Sequence, residues 1–295
     1  MERVLELKGI LPALVTPFDA KGDIDFRTLE RLVEHLLAKG VHGFVPMGST
    51  GEYYAMSDQE RWDVLRCVKE VVGQRGLLVA GANAGSTRDV IRHTEAAKKL
   101  GYDAVLLPPP YYSLPTQQEL LAHYNAVLDA VDVEIVLYNF PLRAGVEIGF
   151  DVLDALAGNP RVIGIKESSG NLLRALEINK RYAGDYQLSC GSDDQAFDFF
   201  LWGATSWICG PANCLVEPCV KFYNAFTSGD LKKAQAIAKA LYPVMTNLES
   251  GKFVQKVKFG CELMGIPVGE PRRPLLPLND AEKRDLARAI AAANA

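Results

Sequence analysis

"VIGIKESSG", residues 162–170, opens on branched apolar residues and then carries a lysine. Val162, Ile163 and Ile165 leave no polar face, so the run reads as a strand covered on both sides. Strands covered on both sides belong to parallel sheets with helices packed outside. Lys166 continues the same strand, where an ammonium is costly unless it is paired or gives up its proton. The nonapeptide therefore raises two questions: how many such strands the chain holds, and why one of them carries a lysine.

Seven further runs match it: 10–18, 43–47, 77–83, 104–110, 134–141, 186–193 and 205–213. Helix-length amphipathic segments lie between them. In 26–39, Leu29, Leu32, Val33, Leu36 and Leu37 recur at helical spacing. Ser57 with Glu60, and Thr116 with Glu119, give capping boxes ahead of 58–72 and 117–130, while Gly40 and Gly101 mark helix ends. Eight strand–helix alternations predict an α/β fold, a (β/α)8 TIM barrel, over residues 1–213. A doubly wound open sheet is the alternative, but no GxGxxG follows the first strand. Residues 214–295 show helical pattern and no strand, and are expected to close the barrel as a C-terminal helical extension of the same domain.

Of the 295 residues about half are apolar, and the formal charge is −4. That balance argues against nucleic acid, which needs clustered Lys and Arg. The opening "MERVLELKGILPALVTPF" has acids among its apolar residues, and no run nears the roughly 20 that span a bilayer. A cytoplasmic protein without membrane association is expected. The six cysteines are scattered without CxxC, which fits reduced core thiols and no metal.

In a (β/α)8 barrel chemistry collects where strands end. Those ends read "GSTGE" (48–52), "PPPYY" (108–112), "YNFPLR" (138–143), Lys166-Glu167-Ser168, "CGSDD" (190–194) and "CGPAN" (209–213). Histidine is missing from the set, which removes Ser-His-Asp and His-ligated metal chemistry. What is left is a lysine, an arginine and hydroxyls. A desolvated ammonium loses its proton more readily, and the free amine forms a Schiff base with a carbonyl substrate. Tyr and Ser/Thr hydroxyls can relay protons, and hydroxyls, a glycine turn or Arg143 can hold a carboxylate. The structural alternative is an ion pair of Lys166 with Glu167 or Asp193.

Together "GILPALVTPF", "GSTGE", "PPPYY", "YNFPLR", "IGIKESSGN", "SCGSDD" and "GIPVGEPRRPLLPL" resemble the dihydrodipicolinate synthase/N-acetylneuraminate lyase family over nearly the whole chain. The resemblance implies a class I aldolase-type lyase in which Lys166 forms an imine with pyruvate or another 2-oxo acid, with no cofactor. It implies that Tyr138 and Ser49 relay protons, that Thr50 binds the substrate carboxylate, and that Gly191 and Ile208 line the pocket. Tyr112 would complete the relay across a subunit interface of a homo-oligomer, a dimer or tetramer, and Arg143 would bind the carboxylate of a second substrate, an aldehyde. Synthase chemistry, condensing pyruvate with aspartate semialdehyde, is the leading expectation. Ser49-Thr50 in place of two threonines, and bulky Tyr53-Tyr54 after the turn, point toward the alternative of a sugar-acid aldolase, lyase or dehydratase. A non-catalytic barrel binding a 2-oxo acid is the remaining reading. Lysine-inhibited members of the family bind that effector near the helix after "GSTGE". Here Tyr111 is kept, but Tyr53, Tyr54, Asp58 and Arg61 stand where small or polar residues are usual, so insensitivity to lysine is expected.

Overall fold

Among residues 5–293, which the computed structural model describes, strands and helices alternate as the sequence predicts. The order is β1 (Gly9–Pro12), α1 (Phe26–Ala38), β2 (Gly43–Phe44), α2 (Asp58–Val72), β3 (Leu77–Gly81), α3 (Thr87–Lys99), β4 (Ala104–Leu107) and α4 (Gln117–Ala130). Then come β5 (Glu134–Asn139), α5 (Pro141–Ala144), α6 (Phe150–Leu156), β6 (Val162–Glu167), α7 (Leu172–Tyr182), β7 (Gln187–Cys190), α8 (Ala196–Leu201) and β8 (Ser206–Cys209). Four helices follow: α9 (Val216–Thr227), α10 (Leu231–Glu249), α11 (Phe253–Leu263) and α12 (Asp280–Ala293). The fold is a parallel (β/α)8 barrel of eight strands with a C-terminal helical extension.

The described residues form two compact units, each drawn from two stretches: residues 5–8 with Leu77–Ile208, and Gly9–Gly76 with residues 209–293. In the first, β3 to β8 pair in parallel, with Tyr138 opposite Lys166, Lys166 opposite Ser189, and Ser189 opposite Ser206. Registered partners on neighbouring parallel strands face the same way, so these four side chains form one row. Where β6 and β7 begin, Gln187 accepts from the Leu7 N–H at 2.7 Å and donates to the Leu5 carbonyl at 2.8 Å. Thr205 adds a bond to the Leu7 carbonyl at 2.6 Å, and the Leu7 side chain is fully buried.

In the second unit β1 and β2 lie side by side, with Val45 N–H donating to the Pro12 carbonyl at 2.9 Å and Ala13 bridging Val45. Asn213, wholly buried, accepts from Val15 N–H at 3.1 Å and donates to the Ala13 carbonyl at 2.9 Å. Helix α1 starts on Asp25, whose carboxylate takes the Thr28 N–H, and stops before Gly40 at φ +89°. It buries Leu29, Leu32, Val33 and Leu36, a stripe that contributes roughly 6–12 kcal/mol at about 1.5–3 kcal/mol per side chain. Helices α9 to α12 belong to this unit.

Most strands are shorter than the apolar runs that announce them: β1 stops at Pro12 and β2 at Phe44. The run continues as buried but irregular chain, because residues such as Met47 (φ +62°) leave the extended region and break the ladder. Among the described residues no helix is long and apolar enough to cross a membrane, and no cluster of three His, Cys, Asp or Glu could hold a metal. All six cysteines are buried thiols outside any disulfide.

Candidate active site

Lys166 lies at the penultimate position of β6 and is 6% exposed. Its neighbours explain how it is tolerated. The ammonium nitrogen sits 4.3 Å from the centroid of the Tyr138 ring, on the adjacent strand and in register. Among the described residues no carboxylate comes within ion-pair distance of it. Glu167 turns to the opposite side of β6, as successive strand residues must, and pairs with Arg174 at 3.0 Å. Asp193 instead accepts from Trp207 Nε1 at 2.9 Å. Neither acid proposed as a structural partner for Lys166 takes that part.

An aromatic path leads from Lys166 to Arg143. The Tyr138 and Phe140 rings lie 5.8 Å apart, and the Arg143 guanidinium is 5.6 Å from the Phe140 ring. Arg143 stands on α5, one helical turn begun by Pro141 and ended by Gly145 at φ +73°, and its side chain is exposed. Gly191, just past β7, donates its N–H to the Glu167 carbonyl at 2.9 Å. A Cβ there would stand 2.7 Å from Lys166 Cε and 1.9 Å from Ser168 Oγ, so only glycine leaves room beside the lysine. Ile208 is buried on β8. Tyr112 takes φ +72° and is 96% exposed, with Leu114 at φ +51° two residues on. Two non-glycine residues in the left-handed region within three positions store strain of about 1–3 kcal/mol each.

Ser49 and Thr50 belong to the other unit, on a 3-10 turn, Ser49–Gly51, that follows Gly48. Thr50 is buried and Ser49 half-buried. The turn is fastened from below. Thr16 donates to the Gly51 carbonyl at 2.8 Å, and a Cβ on Gly51 would meet the Leu14 carbonyl at 2.9 Å. Glu52, at φ +59° and fully buried, meets Lys258 Nζ at 2.8 Å and accepts the Arg272 N–H at 2.8 Å. Lys258 also donates to the Glu270 carbonyl at 3.0 Å and lies 4.1 Å from the Phe18 ring. Burial lowers the pKa of the Lys258 ammonium, with Glu52 opposing the shift. The Arg272 guanidinium reaches the Ala55 carbonyl at 2.8 Å and also Glu60, whose carboxyl it holds down at about 2. Glu60 in turn closes the capping box with Ser57, so turn and α2 are built as one piece.

Several residues of the site went unassigned in the sequence. Ser168 is buried with a hydroxyl that has no hydrogen-bond partner among the described residues, at the edge of the space beside Lys166. Its signal was present in "KESSG" but indistinguishable from a turn serine. Glu52 and Lys258 are 206 positions apart, and nothing local in one sequence couples them.

The dihydrodipicolinate synthetase family profile matches residues 6–293. A 4-hydroxy-tetrahydrodipicolinate synthase of Phenylobacterium zucineum is 37% identical over 284 residues, 96% of each chain. One from Geobacter metallireducens is 36% identical over 284 residues, covering 95% of this chain and 96% of that one. Among solved structures, the chain is similar to the synthase of Methylacidiphilum fumariolicum SolV, with a TM-score of 0.94 and 30% identity over 98% of this chain and 96% of that one. It is equally similar to the chloride-inhibited dihydrodipicolinate synthase of Acinetobacter baumannii complexed with pyruvate, with a TM-score of 0.94 and 32% identity over 98% and 99%. Fold, strand-end residues and full-length similarity agree, and the chain belongs to the dihydrodipicolinate synthetase family.

Proposed function

We propose that this chain is a lyase of the lysine Schiff-base type that condenses pyruvate with aspartate semialdehyde, as a 4-hydroxy-tetrahydrodipicolinate synthase does. The observation that carries the reading is Lys166, buried against the Tyr138 ring with no carboxylate to neutralise it. As a free amine, Nζ adds to C2 of pyruvate, and loss of water from the adduct gives the imine. The imine nitrogen draws an electron pair as a proton leaves C3, producing an enamine. That carbon then forms a bond to the aldehyde carbon, whose oxygen takes up a proton. The imine itself is the electron sink, so no cofactor is required.

Tyr138 passes protons to and from the nitrogen and C3, with Ser49 continuing the relay and Thr50 taking the pyruvate carboxylate. Gly191 and Ile208 supply backbone polar groups to the pocket wall. Arg143 takes the carboxylate of the aldehyde, a pairing that suits the planar guanidinium. Tyr112 completes the relay in a neighbouring copy. Its strained backbone, its exposed ring, and the exposed Leu142 (89%) and Leu114 (58%) support a homo-oligomer that covers this surface. The enzyme works in the cytoplasm.

Borohydride reduction in the presence of pyruvate should fix the three-carbon unit on the peptide carrying Lys166, and coupled assay with aspartate semialdehyde should show turnover. Labelling on another residue sinks the mechanism. A second reading has its own support: Ser49 and the unpartnered Ser168 hydroxyl are suited to a polyhydroxylated substrate. Cleavage or dehydration of a 2-keto-3-deoxy sugar acid, with no reaction of the semialdehyde, would establish it instead.

A further inference from the structure

The segment that carries Arg143 has both ends tied to one buried knot. Asn139, the last residue of β5, accepts the Ile148 N–H at 3.0 Å, which closes residues 139–148 into a loop. The same side chain donates to Glu167 Oε2 at 2.9 Å. Arg174, from α7, places Nε 3.0 Å from that oxygen and Nη1 3.2 Å from Glu147, and also donates to the Ile148 carbonyl. Its guanidinium lies 4.7 Å from the Phe150 ring. Glu167 is completed by the Ser169 N–H at 2.6 Å, and Asn139, Glu167 and Arg174 are all buried. A second anchor comes from α4, where Gln117 donates to the Glu147 carbonyl at 2.9 Å and accepts the Gly149 N–H at 2.7 Å.

Glu167 is the chain neighbour of Lys166, and Asn139 that of Tyr138. The knot therefore sits directly behind the two residues that face the lysine side of the site, and it grips the loop on which Arg143 is exposed. Among the described residues, the Arg143 guanidinium lies against the Phe140 ring alone. Its reach is set by where the loop is held.

We propose that Arg174 is a positioning residue that, through Glu167, Asn139 and the backbone of Ile148, fixes the Arg143 loop relative to Lys166 and thereby sets the affinity for an anionic second substrate. This rests on the reading that Arg143 receives that substrate's carboxylate. A lysine at 174 keeps the charge but not the planar fork that serves Glu167 and Ile148 together.

Arg174→Lys and, independently of the buried charges, Gln117→Ala are compared with wild type in the intact enzyme. Pyruvate-dependent borohydride labelling of Lys166 is expected within about twofold of wild type. The KM for aspartate semialdehyde is expected to rise about ten- to a hundredfold with kcat changed far less, the scale that a misplacement near 1 Å produces. Deuterium uptake over 140–149 should rise in both variants. A lowered melting temperature with an unchanged KM overturns the positioning role, as does a loss of labelling as large as the loss of turnover. A wild type that uses no anionic aldehyde overturns the functional reading, and this proposal with it.

Discussion

Lys166 is held by shape and by an aromatic face rather than by a counter-charge, which is what a nucleophile needs and a structural lysine does not. Removing only the hydroxyl in Tyr138→Phe keeps the ring under the ammonium, so folding should be unchanged while kcat falls by about 10²–10⁴, the usual range for a lost proton-transfer group. Wild-type turnover in that variant would take Tyr138 out of the mechanism. Gly191 gives a sharper test, since a methyl there intrudes on Ser168 Oγ, Lys166 Cε and the Glu167 carbonyl. Gly191→Ala should cut the rate of borohydride labelling at least tenfold, on the scale of an off-rotamer or overpacked side chain. Adding Ser168→Ala should recover part of it, because the nearest of the three obstacles is then gone. If the double variant labels no faster than Gly191→Ala, Ser168 does not border the lysine's working space. The lysine was legible in the sequence because a charge at the end of a two-faced apolar strand violates its surroundings. Ser168 was not, since only the approach of β7 reveals that its hydroxyl is enclosed.

Caps and ends of helices were read directly from the chain. Both capping boxes form, at Ser57–Glu60 and Thr116–Glu119, and Gly40 and Gly101 take φ +89° and +78°. These are local bonds between residues three apart, so local sequence contains them. The knot of Asn139, Glu167 and Arg174 joins three elements, and no spacing rule connects its members. The loop after β2 illustrates both cases. Tyr53 and Tyr54 read as bulk in the sequence, and the structure stacks them edge to face at 5.6 Å. It also lays the buried Arg61 guanidinium 5.3 Å from the Tyr53 ring, a contact the sequence did not announce. The resemblance read from the sequence puts an effector lysine at these positions, and here a positive charge and two rings fill them. Millimolar lysine should therefore neither slow this enzyme nor raise its melting temperature. Saturable inhibition with matching thermal stabilisation would show that the aromatic pair moves aside.

For the whole molecule, acid should be felt first through a histidine far from the chemistry. His123, on α4, is 4% exposed, bonded to Thr87 through Nδ1 at 2.9 Å, and its buried Nε2 has no partner among the described residues. Burial pushes its pKa from 6.5 down to about 4. Between those values the unfolded chain binds a proton that the folded chain refuses, so stability declines as pH falls from 6.5 towards 4, by up to about 3 kcal/mol. His35 is shifted the same way by burial and adds to the slope. Urea midpoints at pH 7.5 and 4.5 should differ, and His123→Gln, neutral throughout, should narrow the difference; an equal gap in the variant would assign the acid sensitivity elsewhere. The bonds from Gln187 to Leu5 and Leu7 have a different kind of consequence, one of timing. Leu7 and Gln187 are 180 residues apart, yet the first belongs where β7 begins. A ribosome adding roughly 5–20 residues per second leaves Leu7 waiting roughly ten to forty seconds for Gln187 to be made. Leu5 and Leu7 are thus made well before the side chain that holds them, and the nascent chain must keep this apolar stretch from other partners until then.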